Sequence, residues 1–285
     1  SSYNKNCTLV SRAGKDIYWR IIRINGDGTV RVIYDGTSAH ANGTSAHANG
    51  TSAHANGELS SDRRIGMSAF NDGRYDNAYV GYMYGQIHAS TYEETHANTN
   101  NSTIKTYLDT WYENNIKGTV NEQYVADNLF CNDRSFAPNN SGTGAGDRYA
   151  YYRWHNFADD RYGYNNKMML TCLQKNDAFT VSDTNKGNGA LTYGVGLITA
   201  DEVVLSGGWN SSNYNYYLYT GENYWTMSPN DFEFEFSVAQ FGSANGAYFE
   251  MSLGARPVFN LKAEVLSQGT GMASDPYHLA SYNQD

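Results

Sequence analysis

Charge is scarce in this chain. Asp, Glu, Lys and Arg make up 17% of its 285 residues, against roughly a quarter in an average globular protein. What charge there is runs negative, with 29 acidic and 20 basic residues and a formal net charge of −9. No basic cluster breaks that balance, so a nucleic-acid partner is not expected: a phosphate backbone needs a basic face. Long apolar runs are missing as well. No stretch approaches the ~18–20 consecutive apolar residues of a membrane span. No signal peptide opens the chain, which starts Ser1-Ser2-Tyr3 in polar sequence. The expectation is a mature or trimmed ectodomain, linked to a membrane only through an N-terminal anchor outside this sequence.

Cysteine is confined to Cys7, Cys131 and Cys172, with no CxxC pair and no ligand-like spacing to histidine. Two outcomes stay open. All three thiols pack reduced, or an oxidising compartment pairs Cys131 with Cys172 and leaves Cys7 free or bonded outside this chain. Catalytic signatures are lacking too: no Gly-x-Ser-x-Gly elbow, His-Glu-x-x-His helix or phosphate-cradling loop occurs. Asp231, Glu233, Glu235 and Glu250 are the acids that could pair as glycosidase carboxylates, but Glu233 and Glu235 alternate along one run and share a strand face. Asp72, Asp76, Asp159 and Asp160 lie in loops without a regular calcium-ligand register. No enzyme activity, cofactor or metal is expected.

What the chain does have is glycine and tyrosine, 28 and 25 residues, with 5 tryptophans. So many aromatics supply a buriable core, which sets the chain apart from disordered polar sequences. Its length suffices for one large β-rich domain or two small ones. Amides and hydroxyls carry the polarity, as in a secreted β protein with long ordered loops.

Local signals divide the chain. Ile17 to Ile24 and Thr29 to Tyr34 are β-branched runs around Asn25-Gly26-Asp27-Gly28, which predicts a β-hairpin. Residues 37–57 repeat Thr-Ser-Ala-His-Ala-Asn-Gly three times, placing His40, His47 and His54 seven apart. Three small-residue units cannot stack a core, so 36–57 reads as an inserted loop and not as a metal site. Residues 75–84 read as an aromatic strand. Ser102 or Thr103 caps a helix over 102–116, with Ile104, Leu108, Trp111 and Tyr112 on one face and Gly118 as its stop. A shorter helix spans 199–205, with Thr199 as cap, Asp201 and Glu202 in its first turn and Gly207-Gly208 as its stop. Residues 139–146 form an exposed excursion. Strand-prone runs follow at 216–219, 224–227, 232–241, 247–251 and 255–261. In the third, Phe232, Phe234 and Phe236 alternate with Glu233 and Glu235, giving one aromatic and one acidic face.

Specific strings resemble a family of large exported proteins of Gram-positive and mollicute-like gut bacteria. They are Tyr18-Trp19-Arg20-Ile21-Ile22-Arg23-Ile24-Asn25-Gly26-Asp27-Gly28-Thr29, Phe130-Cys131-Asn132-Asp133-Arg134-Ser135 and Val195-Gly196-Leu197-Ile198-Thr199-Ala200-Asp201-Glu202. Tyr217-Leu218-Tyr219-Thr220-Gly221, Tyr224-Trp225-Thr226-Met227-Ser228-Pro229 and Gly254-Ala255-Arg256-Pro257-Val258-Phe259-Asn260-Leu261 continue the series over nearly the whole chain. The last two strings are also similar to the ending of C-type-lectin-like domains of the formylglycine-enzyme type. There a Tyr-Trp-(Ser/Thr) strand, a variable hairpin and a Gly-x-Arg strand close the fold. The variable proteins of diversity-generating retroelements are of this kind. The resemblance implies one α+β, β-rich C-type-lectin-like domain over 1–285, with two helices, an N-terminal hairpin and a C-terminal antiparallel sheet. It also implies surface display. Formylglycine-generating activity would require cysteines near the C-terminal pocket, and none lies beyond Cys172.

The stretch between the two closing strings suits a contact surface. Asn230, Asp231, Phe232, Phe241, Ser243, Asn245, Tyr248, Phe249 and Glu250 combine aromatics with small polar groups, as do Trp209 and Tyr214 upstream. Aromatics add contact area at low entropic cost, while Asn and Ser adapt their hydrogen bonds. The pattern leaves open whether Phe234 and Phe236 face a ligand or the core. Trp225 and Arg256 read as scaffold, a buried indole and a guanidinium satisfying carbonyls or a carboxylate. The expected function is an adhesin or receptor-type module at the cell surface, binding a protein or glycan over 227–250. Self-assembly as a pilus or filament subunit, and carbohydrate-active chemistry, are the competing readings.

Overall fold

The computed structural model of the chain describes residues 6–10, 16–37, 60–135, 170–208, 218–230, 234–240, 242–272 and 274–278. The histidine repeat, the 139–146 excursion and the 209–216 stretch lie outside the described residues. In chain order the strands begin with β1 (Asn6–Val10), β2 (Asp16–Ile24), β3 (Val30–Tyr34), β4 (Gly66–Ser68) and β5 (Met83–Tyr84). The one-turn helix α1 (Tyr92–Thr95), β6 (Asn100–Asn101), α2 (Thr103–Asn115), β7 (Phe130–Cys131), β8 (Ala178–Phe179) and α3 (Ala200–Leu205) follow. The last third holds β9 (Tyr224–Pro229), β10 (Phe234–Val238), β11 (Ala244–Tyr248), β12 (Leu253–Ala255) and β13 (Val258–Leu261). The protein is α+β and sheet-rich.

Two larger sheets organise the fold. One runs β1-β2-β3-β13 and the other β11-β10-β9-β12-β4. The hairpin between β2 and β3 turns where the sequence places it: Gly28 adopts φ +85°, and Asn25 N–H donates to Thr29 O at 2.8 Å. The C-terminal run 255–261 is two strands, not one. Pro257 has no N–H for a ladder, and the chain leaves the five-stranded sheet at Ala255 and enters the four-stranded one at Val258. Residues 218–219 are not strand, and β11 covers Ala244–Tyr248 rather than 247–251.

The aromatic run 75–84 is strand only at its end, where Met83–Tyr84 form β5. Its centre is a 3-10 turn, Asn77–Val80, held by Asp76, whose side chain accepts from Ala78 N–H at 2.8 Å. A local carboxylate acceptor outcompeted the extended ladder here. The helices follow their caps. Ser102 Oγ accepts from Lys105 N–H, Gly118 takes φ +72° beyond the helix end, and Ile104, Leu108 and Tyr112 are buried. Trp111 packs edge-on to Trp19, which stacks on Phe259 with centroids 4.6 Å apart. The α2 stripe therefore covers the four-stranded sheet. At α3 the Thr199–Glu202 capping box forms in both directions.

Buried polar hubs bind these layers together. Arg31, on β3, pairs with Glu202 of α3 at 2.5 Å and donates to Leu129 O and Leu197 O. Glu202 is held below the ordinary carboxylate range by Arg31 and Arg23, against the opposing pull of burial. Arg134 forms a two-point contact with Asp177 and donates to Met83 O and Asn176 O. Cys131 and Cys172 form a disulfide beside this hub, a bond that persists in oxidising compartments. Asn132 takes Tyr82 N–H on its carbonyl and donates to Val80 O and Met227 O. Such pairs add little net stability over an apolar core, but removing one partner costs about 3–5 kcal/mol.

Candidate functional site

The β10–β11 hairpin at the edge of the five-stranded sheet carries the site. Directly opposed residues share a face, and β-strand neighbours alternate. Glu235 opposes Ala247, and Phe234 opposes Tyr248. Glu235 is 0% exposed and Ala247 is buried, so this pair faces inward. Phe234 and Tyr248 are half-buried on the other face, their rings stacked 4.3 Å apart. Of the alternating Phe and Glu, Phe234 thus faces outward and Glu235 inward.

That outward pair continues onto a loop distant in sequence. The Arg74 guanidinium lies 4.7 Å from the Tyr248 ring centroid and 5.4 Å from that of Tyr75, and it pairs with Glu250. Phe234, Tyr248, Arg74 and Tyr75 therefore form a stacked ladder across two segments. Tyr75 is 55% exposed, the Arg74 side chain 38%. Tyr75 also holds φ 65°, the left-handed region, which costs a residue with a Cβ about 1–2 kcal/mol. An exposed cation–π contact returns about 0.5–1 kcal/mol, and an exposed ion pair about 0–1 kcal/mol. The loop end of the ladder roughly balances in stability, so folding alone does not account for an exposed, strained tyrosine there. Such outliers concentrate at functional sites.

Other residues anticipated for the surface divide sharply. Asn245 is exposed, Ser243 half-buried, and Glu250 is the ion partner of Arg74. Phe249 is not on the surface: it is 0% exposed and packs with Phe70, which in turn meets Trp225 edge-on at 5.7 Å. Two residues beyond the inward Ala247, it follows the same alternation into the core. Asn230 is also buried, its amide lying where a Cβ on Gly246 would clash. It shapes the hairpin and offers little to a ligand. Trp209, Tyr214, Asp231, Phe232 and Phe241 lie outside the described residues, as does the side chain of Phe236.

Trp225 and Arg256 are placed as scaffold. Trp225 is fully buried and its Nε1–H donates to Ser68 O at 2.8 Å. Arg256 donates to Tyr34 O through Nε and Nη2, to Leu218 O through Nη1, and to Asp35 at 3.3 Å. Among the acids weighed for catalysis, Glu235 is buried and Glu250 is ion-paired on the surface, while Asp231 and Glu233 lie outside the described residues. Asp76 is committed to Ala78 N–H, His88 N–H and the His88 ring. No group of three potential metal ligands occurs among the described residues.

Glu235 has a further property. Among the described residues neither carboxylate oxygen has a hydrogen-bond partner, and burial alone pushes its carboxyl well above the ordinary range. A buried carboxylate without a cation is held as the neutral acid. The inner side of the hairpin is therefore under-satisfied, and the outer side is aromatic.

Arg74 and Tyr75 were not visible as site residues in the sequence. The one signal was Asp72-Gly73, a turn pair at the head of a run that reads as a strand. No family model matches the chain, and no curated protein or solved structure gives a match.

Proposed function

We propose that this protein is a surface-displayed binding module of adhesin or receptor type, on the C-type-lectin-like fold that the sequence resemblance implies. It engages a protein or glycan through the ladder of Phe234, Tyr248, Arg74 and Tyr75. The observation that carries this reading is Tyr75, an exposed aromatic in a strained backbone conformation that stacks beside Arg74. Tyrosine and arginine dominate binding hot spots because each brings large area with directional polarity. The Cys131–Cys172 disulfide supports an extracellular setting. Diversification by a retroelement would show as an adenine-biased template copy of the 3′ coding region beside a reverse transcriptase.

The test is a screen of the purified protein against extracellular-matrix proteins and a glycan array. For a ligand so found, the double change Tyr75→Ala with Tyr248→Ala lowers affinity by about tenfold or more, at least 1.4 kcal/mol. Cooperative unfolding is retained. A ligand held equally tightly by the double variant contradicts the reading.

A second reading rests on the outer edge of β11, which no strand among the described residues pairs with. Open edges template addition of another strand, which suits a pilus or filament subunit. Filaments or sedimenting oligomers formed by the purified protein would favour it.

A further inference from the structure

A cleft of about 420 Å³ opens beside the ladder, between the loop that follows β4, the β5–β6 pair and the outer face of α2. It shares that loop with the ladder: Asp72 lines the cleft, and Arg74 two residues on belongs to the ladder. Its volume falls in the ~300–1,000 Å³ range of small-molecule sites. What sets it apart is which of its polar groups are committed and which are not.

The Thr106 and Thr110 hydroxyls are committed, donating to Ser102 O and Thr106 O within the helix. The Asn71 amide is committed as well, donating to Tyr79 O and accepting from Asp72 N–H. By contrast, among the described residues no hydrogen bond or ion pair engages the Asp72 carboxylate, the Asn101 amide or the Thr103 hydroxyl. An acceptor-only group, a group that both donates and accepts, and a hydroxyl thus converge on one cleft. Tyr84 and Tyr107 are the aromatic residues of its lining. Both side chains have neighbours of their own. Tyr84 meets Tyr79 at 6.3 Å, and the Tyr107 hydroxyl lies where a Cβ on Gly66 would sit.

We infer that this cleft is a binding site for a neutral saccharide. A sugar ring presents adjacent hydroxyls, each able to donate and accept, and an apolar C–H face. The first needs a carboxylate and an amide within one cleft, the second needs an aromatic wall. Among the described residues no cationic side chain lines the cleft, which leaves an anionic ligand such as a phosphate without a partner among them. One carboxylate is too few for a calcium ion. An apolar ligand would strand three polar groups. This inference does not depend on the ladder being a binding surface.

The experiment is titration of the isotope-labelled protein with neutral monosaccharides and β- and α-linked disaccharides at millimolar concentration, followed by amide chemical shifts. Saturable shifts centred on Asn71, Asp72, Asn101 and Thr103 are expected for at least one sugar. Asp72→Ala combined with Asn101→Ala weakens that binding by about tenfold or more, the loss of two hydrogen bonds to ligand hydroxyls. Both residues are exposed and neither side chain bonds to another described residue, so thermal unfolding stays unchanged. Glu264→Ala, at an exposed residue that belongs to neither the cleft nor the ladder, leaves sugar affinity unchanged. No saturable shift with any sugar, shifts centred elsewhere, or binding that survives the double change would each overturn the inference. Binding of peptides in place of sugars would overturn it too.

Discussion

Arg256 and Arg74 make the same contact in opposite surroundings. Each guanidinium lies over a tyrosine ring, Arg256 over Tyr224 at 4.8 Å and Arg74 over Tyr248 at 4.7 Å. Arg256 is buried, and its donors reach two backbone carbonyls and Asp35, so it joins β3, the segment at Leu218 and the β12–β13 crossover. Arg74 is partly exposed, with Glu250 as its ion partner and Tyr75 on its open side. The first guanidinium is saturated by its own chain, and the second holds capacity in reserve. Identical chemistry serves as scaffold where the fold uses every donor, and is proposed as a contact surface where it does not.

The largest expected effect lies at the scaffold end. Arg256→Ala takes a donor from the carbonyls of Tyr34 and Leu218 and one of two arginines from the buried Asp35, and should cost about 3–5 kcal/mol in denaturant unfolding. Lysine should rescue little of this, since a single ammonium cannot reproduce the fork. A loss as small as that of a surface arginine would break the contrast between the two sites.

A smaller effect of opposite sign is expected at Glu235. Replacing it with leucine removes an unsatisfied buried acid, and should raise stability by about 1–3 kcal/mol at neutral pH. The sign of the pH dependence follows from linkage. The folded carboxyl titrates above its unfolded counterpart, so the folded state binds the proton more tightly. Its contribution is full below the unfolded value near 4.3 and is lost as pH rises through the folded value. The parent protein should therefore weaken across that window relative to Glu235→Leu. Parallel stability–pH curves for the two would show that Glu235 is served by a partner.

Much of the fold was legible because its signals are local. The Asn25–Gly28 turn, the Ser102 cap and the Thr199–Glu202 capping box are each contained in a few residues. The strings that carried the family resemblance turn out to hold buried hubs, Arg134, Asn132, Glu202, Trp225 and Arg256 among them. They speak for the scaffold and not for the site. The site was less legible because composition does not say which alternate residue turns inward. Phe249 looked like a contact residue and is core, and Asn230 looked adaptable and is packed against Gly246. Arg74 and Tyr75 were missed because they meet Tyr248 only through folding, across more than half the chain.

The division between scaffold and contact surface is tested most directly by hydroxyl-radical labelling of the free protein and of its complex with a captured ligand. Tyr75 and Tyr248 should label readily in the free protein and become protected in the complex, with Trp225 unlabelled in both. Equal labelling of Tyr75 and Tyr248 with and without ligand would contradict the assignment of the ladder as the contact surface.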